Sequence, residues 1–246
     1  MSQPLIVIPA RLASTRLPNK PLALINGKPM IVHVWERAIK ADIGEVVVAC
    51  CGPEIANVIT EAGGKAYITD PDLPSGSDRI KAVLDNMPHI KEDAIILNLQ
   101  GDLPTISAEA MTAALEPLKN PKVDIGTVAT IIKDPAQIDN PNVVKVAMTP
   151  VGDGMGRALY FSRASIPYGA SEYYHHIGLY AYRRVALETF LLLPASPLEK
   201  IEKLEQLRAL EAGMRIDVRL VAEAPHTVDT PEDLEAVVRY LEGVGR

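Results

Sequence analysis

The sequence predicts an α/β fold: a doubly wound, mostly parallel sheet with a smaller β-rich inserted subdomain. Three observations carry this. Short apolar runs alternate with helix-length segments through the first half of the chain, the pattern of successive β-α units. These runs are continuous rather than alternating, as strands buried on both faces require. From residue 140 to 184 the pattern changes to short strand-like runs broken by Gly and Pro, and six of the eight tyrosines fall between Tyr160 and Tyr182.

Taken in order, residues 5–9 form the first expected strand and run into a basic loop. Asn26-Gly27 signals a tight turn, and residues 30–41 then have helical length and spacing. Strands at 45–50 and 65–69 bracket a helix at 53–62, and a helix at 77–84 leads to a strand at 94–99. A helix at 107–118 and a strand at 124–132 complete the alternation. Such a sheet presents its ligands outside the carboxyl ends of the strands. Strand-like runs at 143–148, 159–161 and 177–182 make the segment 140–184 a subdomain over the ligand side of that sheet. Helices at 185–193 and 197–212, a strand at 215–221 and a helix at 230–241 close the chain. Within 197–212, Leu198, Ile201, Leu204, Leu207 and Leu210 recur every three positions. A three-residue step drifts around an α-helix, so this helix is expected to touch more than one neighbour, in a second subunit or within the chain.

At 246 residues the chain accommodates one large domain, 1–246, carrying 140–184 as an insertion. Twenty-five basic against thirty-one acidic residues give a net charge of −6, which argues against nucleic acid as a partner. A small anionic ligand needs only a local basic pocket. Cys50 and Cys51 are adjacent, so a disulfide between them or a zinc site is not expected, and a reducing compartment is. With no secretion signal and no apolar run long enough for a membrane span, the expectation is a cytoplasmic protein.

Three segments carry chemistry. The first strand runs into Arg11, Arg16 and Lys20, three cations in the loop where such a sheet binds ligands. They suit a polyphosphate, whose oxygens backbone N–H groups and cations share; a solvated basic loop is the plain alternative. Neither G-x-x-x-x-G-K nor G-x-G-x-x-G is present, against kinase and hydride-transfer readings. Second, Gln100-Gly101-Asp102 ends an apolar strand in a carboxylate that could hold a metal ion, or could serve only as a turn or cap residue. Third, Thr230, Pro231 and Asp233 make a helix start that accounts for all three and leaves Asp229 unexplained. Two carboxylates from distant parts of the chain can share one Mg²⁺ with triphosphate oxygens.

These segments closely resemble the 3-deoxy-manno-octulosonate cytidylyltransferase (CMP-KDO synthetase) family. The resemblance rests on residues 8–21 and 26–31, on Ser75-Gly76-Ser77-Asp78-Arg79, Gln100-Gly101-Asp102 and residues 158–167, and on His176-Ile177-Gly178-Leu179-Tyr180, residues 196–199, 204–208 and 228–234. It implies a nucleotide-diphospho-sugar transferase-like fold. It also implies Mg²⁺-dependent transfer of CMP from CTP to 3-deoxy-D-manno-octulosonate (KDO) for lipopolysaccharide biosynthesis, in a homodimer. The alternatives are another acidic sugar, such as an amino-substituted or sialic-type acid, or a non-catalytic nucleotide-binding protein.

By the same resemblance, Arg11, Arg16 and Lys20 would grip the triphosphate beside Pro9, Ala10 and Ser14. Ser75, Gly76, Arg79 and Gln100 would surround the cytidine. Arg11, Lys20, Asp102 and Asp229 would be catalytic, the two aspartates holding the metal. Gln100, Arg163, His176, Tyr180, Glu205 and Gln206 would line the sugar-acid pocket. Read as residues alone, Arg163 could equally form a surface ion pair, Glu205 and Gln206 an exposed helix face, and His176 and Tyr180 buried core contacts. The sequence departs from the family pattern at Ala49-Cys50-Cys51-Gly52, where an acidic residue is common, at Leu103, where Glu is common, and at His175, often Arg.

Overall fold

The computed structural model describes residues 3–244. The chain divides into two compact units, one formed by residues up to Ala108 together with those from Pro225 onward, the other by Glu109–Ala224. In the first unit, β1 (Leu5–Ala10) is buried along its whole length. A single 3-10 turn, Lys20–Leu22, then leads to a hairpin of β2 (Leu24–Ile25) and β3 (Lys28–Pro29). Asn26 and Gly27 at its tip have φ of 49° and 78°, the backbone that makes Asn-Gly the favoured two-residue turn. α1 (Met30–Ala41) turns Met30, Ile31, Val34 and Ala38 inward. β4 (Glu45–Cys50), α2 (Pro53–Glu61), β5 (Lys65–Ile68), α3 (Gly76–Asp85) and β6 (Ile95–Leu99) follow, close to their expected bounds.

The strand order in this unit is β5-β4-β1-β6, each pair parallel. The chain steps outward from β1 to β4 and β5, then returns to the other side of β1 with β6. The winding therefore reverses between β1 and β6, whose carboxyl ends are Pro9-Ala10 and Leu99-Gln100. At such a reversal the connecting segments part and leave a crevice.

The second unit opens with α4 (Ala108–Leu115), which gives way to a 3-10 turn at Glu116–Lys119 instead of remaining α-helical to 118. Pro117 removes the amide that a further α-turn needs. β7 (Ile125–Ile131), β8 (Lys145–Gly152), β9 (Met155–Ser162) and β10 (Tyr174–Arg183) come next, then α5 (Arg184–Leu192), α6 (Pro197–Glu202), α7 (Gln206–Glu211) and β11 (Ile216–Leu220). The order is β10-β7-β11-β9-β8, with β11 parallel to β7 and the other pairs antiparallel. Residues 140–184 lie wholly inside this unit.

The single helix expected at 197–212 is two. Lys203 takes a left-handed conformation, φ 56° and ψ 46°, and ends α6. Leu204 and Leu207 are buried while Ile201 is 75% exposed, so the three-residue step belongs to two short helices and not to one drifting face.

The closing helix α8 (Pro231–Val244) returns to the first unit. Ile25, Met30, Val228 and Val237 form a fully buried cluster there, joined by Leu17, Leu234, Val238 and Leu241. Each buried aliphatic side chain contributes on the order of 1.5–3 kcal/mol relative to exposure, against roughly 0–1 kcal/mol for an exposed ion pair. The apolar cluster therefore fixes the chain just after Arg16 and on both sides of Asp229, and the charges near them are free to serve another purpose.

Candidate active site

A cavity of 710 Å³ opens at the winding reversal of the first unit. Pro9, Ala10, Arg11, Ser14, Arg16, Lys20, Ser75, Gly76, Arg79, Gln100, Asp102 and Asp229 all line it. Ala13, Thr15, Pro21 and Gly101 line it too, and no residue-type signal distinguishes the first three. Gly101 had one, since a Cβ there would stand 3.0 Å from the Pro9 carbonyl oxygen and 3.1 Å from Ile31. A larger residue would push the end of β6 and its neighbours apart by a few tenths of an ångström, which glycine avoids.

Opposite charges meet at one side of the cavity. Lys20 Nζ donates to Asp102 Oδ2 at 2.7 Å and to Asp229 Oδ1 at 3.0 Å. Arg16 reaches Asp229 Oδ2 at 3.3 Å. Burial works to lower the Lys20 pKa, but attraction and hydrogen bonding from Asp102, and then from Asp229, outweigh it and hold the pKa above the ordinary lysine value. The ammonium is therefore charged throughout the neutral range.

Asp229 owes its position to the helix start. Asp233 Oδ2 accepts from the amides of Asp229 at 3.0 Å and Thr230 at 2.9 Å, and Thr230 Oγ1 caps the Asp233 amide at 3.2 Å. Val228 N donates to the Asp102 carbonyl at 3.0 Å, which ties the two aspartate-bearing segments together. Thr230 and Asp233 thus serve the helix, while the Asp229 carboxylate turns to the cations. Leu103, beside Asp102, is buried at 3% exposure and packed as core.

Ser75 caps α3, accepting from the Asp78 amide at 3.2 Å and donating to Asp78 Oδ2 at 2.6 Å. Arg79 is buried; its guanidinium donates to Thr69 Oγ1, to the Asp70 carbonyl at 2.9 Å and to the Pro71 carbonyl at 3.4 Å. It braces the 69–71 turn from the cavity wall. Gln100 Nε2 donates to Asn98 Oδ1 at 2.7 Å. Behind the basic loop, Leu12 N donates to Cys51 Sγ at 3.3 Å, a contact that links the residue after β4 to the loop after β1. Burial pushes the Cys50 thiol pKa up, against a weaker opposing hydrogen bond at Gly52.

The other expected site residues belong to the second unit. The Arg163 guanidinium donates to the carbonyls of Glu202 at 2.8 Å, Pro141 at 2.9 Å and Lys203 at 3.4 Å. His176 is buried, with Nε2 at 3.1 Å from Thr127 Oγ1, and that hydroxyl donates to the Leu179 carbonyl at 2.7 Å. Burial, with His175 beside it, lowers the His176 pKa to about 3, so the imidazole is neutral. A register shift between Ile177 and Tyr180 interrupts the pairing of β10 with β7. Tyr180 stands with its ring 5.4 Å from that of His176, and burial raises its phenol pKa. Gln206 is buried at the start of α7, and Glu205 lies 3.8 Å from Arg208.

Among the described residues no group of three or more His, Cys, Asp or Glu is arranged to hold a metal ion. Two carboxylates converging on one cation beside a basic cavity suit Mg²⁺, which takes one or two carboxylates and completes its shell with water and phosphate oxygens. No helix among the described residues is long and apolar enough to cross a membrane.

The parallel sheet gathers cations and a carboxylate pair at its winding reversal, and the profile of the family described as Cytidylyltransferase matches residues 5–216, which makes the protein a nucleotidyltransferase. The 3-deoxy-manno-octulosonate cytidylyltransferase of Rhodopseudomonas palustris strain BisB5 is 56% identical over 237 residues, covering 96% of this chain and 97% of that one. That of Methylobacterium radiotolerans is 55% identical over 243 residues, with 99% and 98% covered. The chain belongs to the 3-deoxy-manno-octulosonate cytidylyltransferase family. A solved structure of CMP:2-keto-3-deoxy-manno-octonic acid synthetase, complexed with CTP, superposes with a TM-score of 0.89 at 40% identity, covering 99% of this chain and all of that one. A cytidylyltransferase from Leptospira borgpetersenii, at 16% identity and a TM-score of 0.60, shares the fold.

Proposed function

We propose that this chain joins the CMP group of CTP to 3-deoxy-D-manno-octulosonate and releases pyrophosphate, supplying an activated sugar for lipopolysaccharide assembly. The observation that carries the reading is the set of Arg11, Arg16 and Lys20 around a cavity that also presents Asp102 and Asp229. In this reading the anomeric hydroxyl attacks the α-phosphorus of CTP in line. The new oxygen–phosphorus bond forms as the bond to the α,β-bridging oxygen breaks, the hydroxyl proton passes to solvent water, and the bridging oxygen leaves with its electron pair as part of pyrophosphate. Arg11 and Lys20 offset the negative charge that builds on the bridging oxygen and the departing pyrophosphate. Arg16 holds the triphosphate with them, beside Pro9, Ala10 and Ser14.

Asp102 and Asp229 would hold Mg²⁺, which when bound polarises the α-phosphate and makes the sugar hydroxyl more acidic. Ser75, Gly76, Arg79 and Gln100 are assigned to the cytidine. Arg163, His176, Tyr180, Glu205 and Gln206, with Gln100, are assigned to the acidic sugar, and residues 140–184 to sugar and dimer contacts in a homodimer. The buried, neutral state of His176 fits a positioning hydrogen-bond role better than proton transfer.

The test is pyrophosphate release with CTP, Mg²⁺ and 3-deoxy-D-manno-octulosonate, against single omissions and against ATP, GTP and UTP. Release that needs all three components, with CTP preferred, is the expected result. Release only with a sialic-type or amino-substituted acid would move the acceptor assignment, and release with none would overturn the reading.

A further inference from the structure

We propose that Lys20 is a displaceable stand-in for the divalent cation, holding Asp102 and Asp229 together until metal and triphosphate arrive jointly. The inference rests on the proposed reading of those aspartates as metal carboxylates. Its consequence is that binding of the metal and binding of CTP depend on one another.

One ammonium lies within 3.0 Å of an oxygen from each carboxylate. Arg16 adds a second positive charge at 3.3 Å from Asp229, so two cations already neutralise two anions with no ligand needed. A divalent ion entering alone must compete for oxygens that Lys20 occupies, and would leave that ammonium beside it in a cavity that also holds Arg11 and Arg16. When a triphosphate enters with the metal, Lys20 gains new anionic oxygens as it gives up the old ones.

What can move is also defined. The aspartates are carried on fixed backbone: Val228 N is bonded to the Asp102 carbonyl, and the amides of Asp229 and Thr230 are bonded to Asp233. Lys20 carries its charge on a flexible four-carbon stem. The exchange therefore needs only the lysine side chain to swing, with the carboxylates waiting in place. Because linkage is reciprocal, the factor by which CTP tightens metal binding is the factor by which metal tightens CTP binding.

The experiment titrates Mn²⁺, an oxygen-ligated substitute for Mg²⁺ with an electron paramagnetic resonance signal, into the full chain with and without CTP and with no sugar acid present. Wild type should bind Mn²⁺ weakly alone and far more tightly with CTP. Lys20→Met should bind Mn²⁺ alone roughly tenfold more tightly than wild type and show a smaller CTP-induced gain. Lys20→Arg, which keeps the charge, should stay near wild type. Lys20→Gln serves if the Met variant fails to fold, judged by circular dichroism. If neutral variants bind Mn²⁺ alone no better than wild type while CTP still tightens binding, the metal uses the remaining carboxylate oxygens beside Lys20, and the stand-in role is overturned. If wild type binds no Mn²⁺ even with CTP, the metal reading itself fails.

Discussion

Lys20, in the first unit, and Lys145, in the second, are both withdrawn from solvent, yet their surroundings push them in opposite directions. Lys20 faces two carboxylates, and its pKa is raised. Lys145 is fully buried and donates to the carbonyls of Asn140 at 2.9 Å and Arg163 at 2.7 Å. Burial lowers its pKa, and the more distant Asp139 and Glu202 do not make up the difference. The contrast extends to the neighbours. Around Lys20 charge meets charge at the edge of a cavity, where a ligand of either sign can take over a partner. In the second unit Lys145 and Thr127 give their hydrogen bonds to backbone carbonyls, which are fixed partners. The first arrangement can be exchanged, and the second holds a framework.

The sharpest way to break this comparison is at Asp102. Asp102→Asn keeps the size of the side chain and removes the charge. Turnover should fall by about 10³-fold, in the range seen when an electrostatic contact to a transition state is lost. Stability should change by only about 1 kcal/mol, because Lys20 keeps its hydrogen bond to Asp229 Oδ1 at 3.0 Å and both residues line a cavity that water can enter. Steady-state rates at saturating CTP and Mg²⁺, beside a thermal melt, check both halves. A large drop in melting temperature with retained turnover would make the cluster a structural device.

The second unit should answer to pH through its buried histidine. An unfolded histidine takes up a proton near pH 6.5, whereas native His176 does so only near pH 3. Between those values the unfolded chain binds more protons, so stability falls as pH falls, by about 1.4 kcal/mol per pH unit. From pH 7 to pH 5 the loss from His176 should be about 2 kcal/mol. His175, whose pKa burial and Lys145 also lower, adds to it in the same direction. Urea midpoints at the two pH values should separate in wild type and draw together in His176→Gln. Equal separation in both would place the titrating group elsewhere.

How much of this was legible in the sequence follows the same division. β1, β4 and β6 read directly because strands buried on both faces are continuous apolar runs. The β8–β9 hairpin was read short, at 143–148 and 159–161. Its outer part, from Thr149 to Arg157, is rich in Gly and mostly exposed, and backbone pairing alone extends it. The break at Lys203 was hidden because a lysine, not a glycine, takes the left-handed conformation there. The sequence singled out Asp229 because the cap accounts for Thr230, Pro231 and Asp233 without it, and the fold brings it to the cavity. Its pairing with Lys20 was not, because the two are 209 residues apart and only the fold brings them together. The carbonyl partners of Arg163 and Lys145 were equally hidden, since a backbone acceptor leaves no residue type to read.

The smallest effect is expected where the loop is held without charge. Cys51 follows β4, and its sulfur accepts from Leu12 N at 3.3 Å. Leu12 adjoins Arg11, so this contact sets how the first arginine of the basic loop leaves β1. A thiol is a weak acceptor, and a neutral hydrogen bond contributes about 1 kcal/mol net. Cys51→Ala should therefore raise KM for CTP by roughly fivefold at most and leave kcat within about twofold, since the loop still folds but is less well held. Cys51→Ser, which retains an acceptor, should recover most of the loss. A fall in kcat without a change in KM would mean that the loop acts on the reacting geometry and not on nucleotide capture. An unchanged Ala variant would mean that Pro9 and Pro21, with the apolar packing of Leu17, already fix the loop.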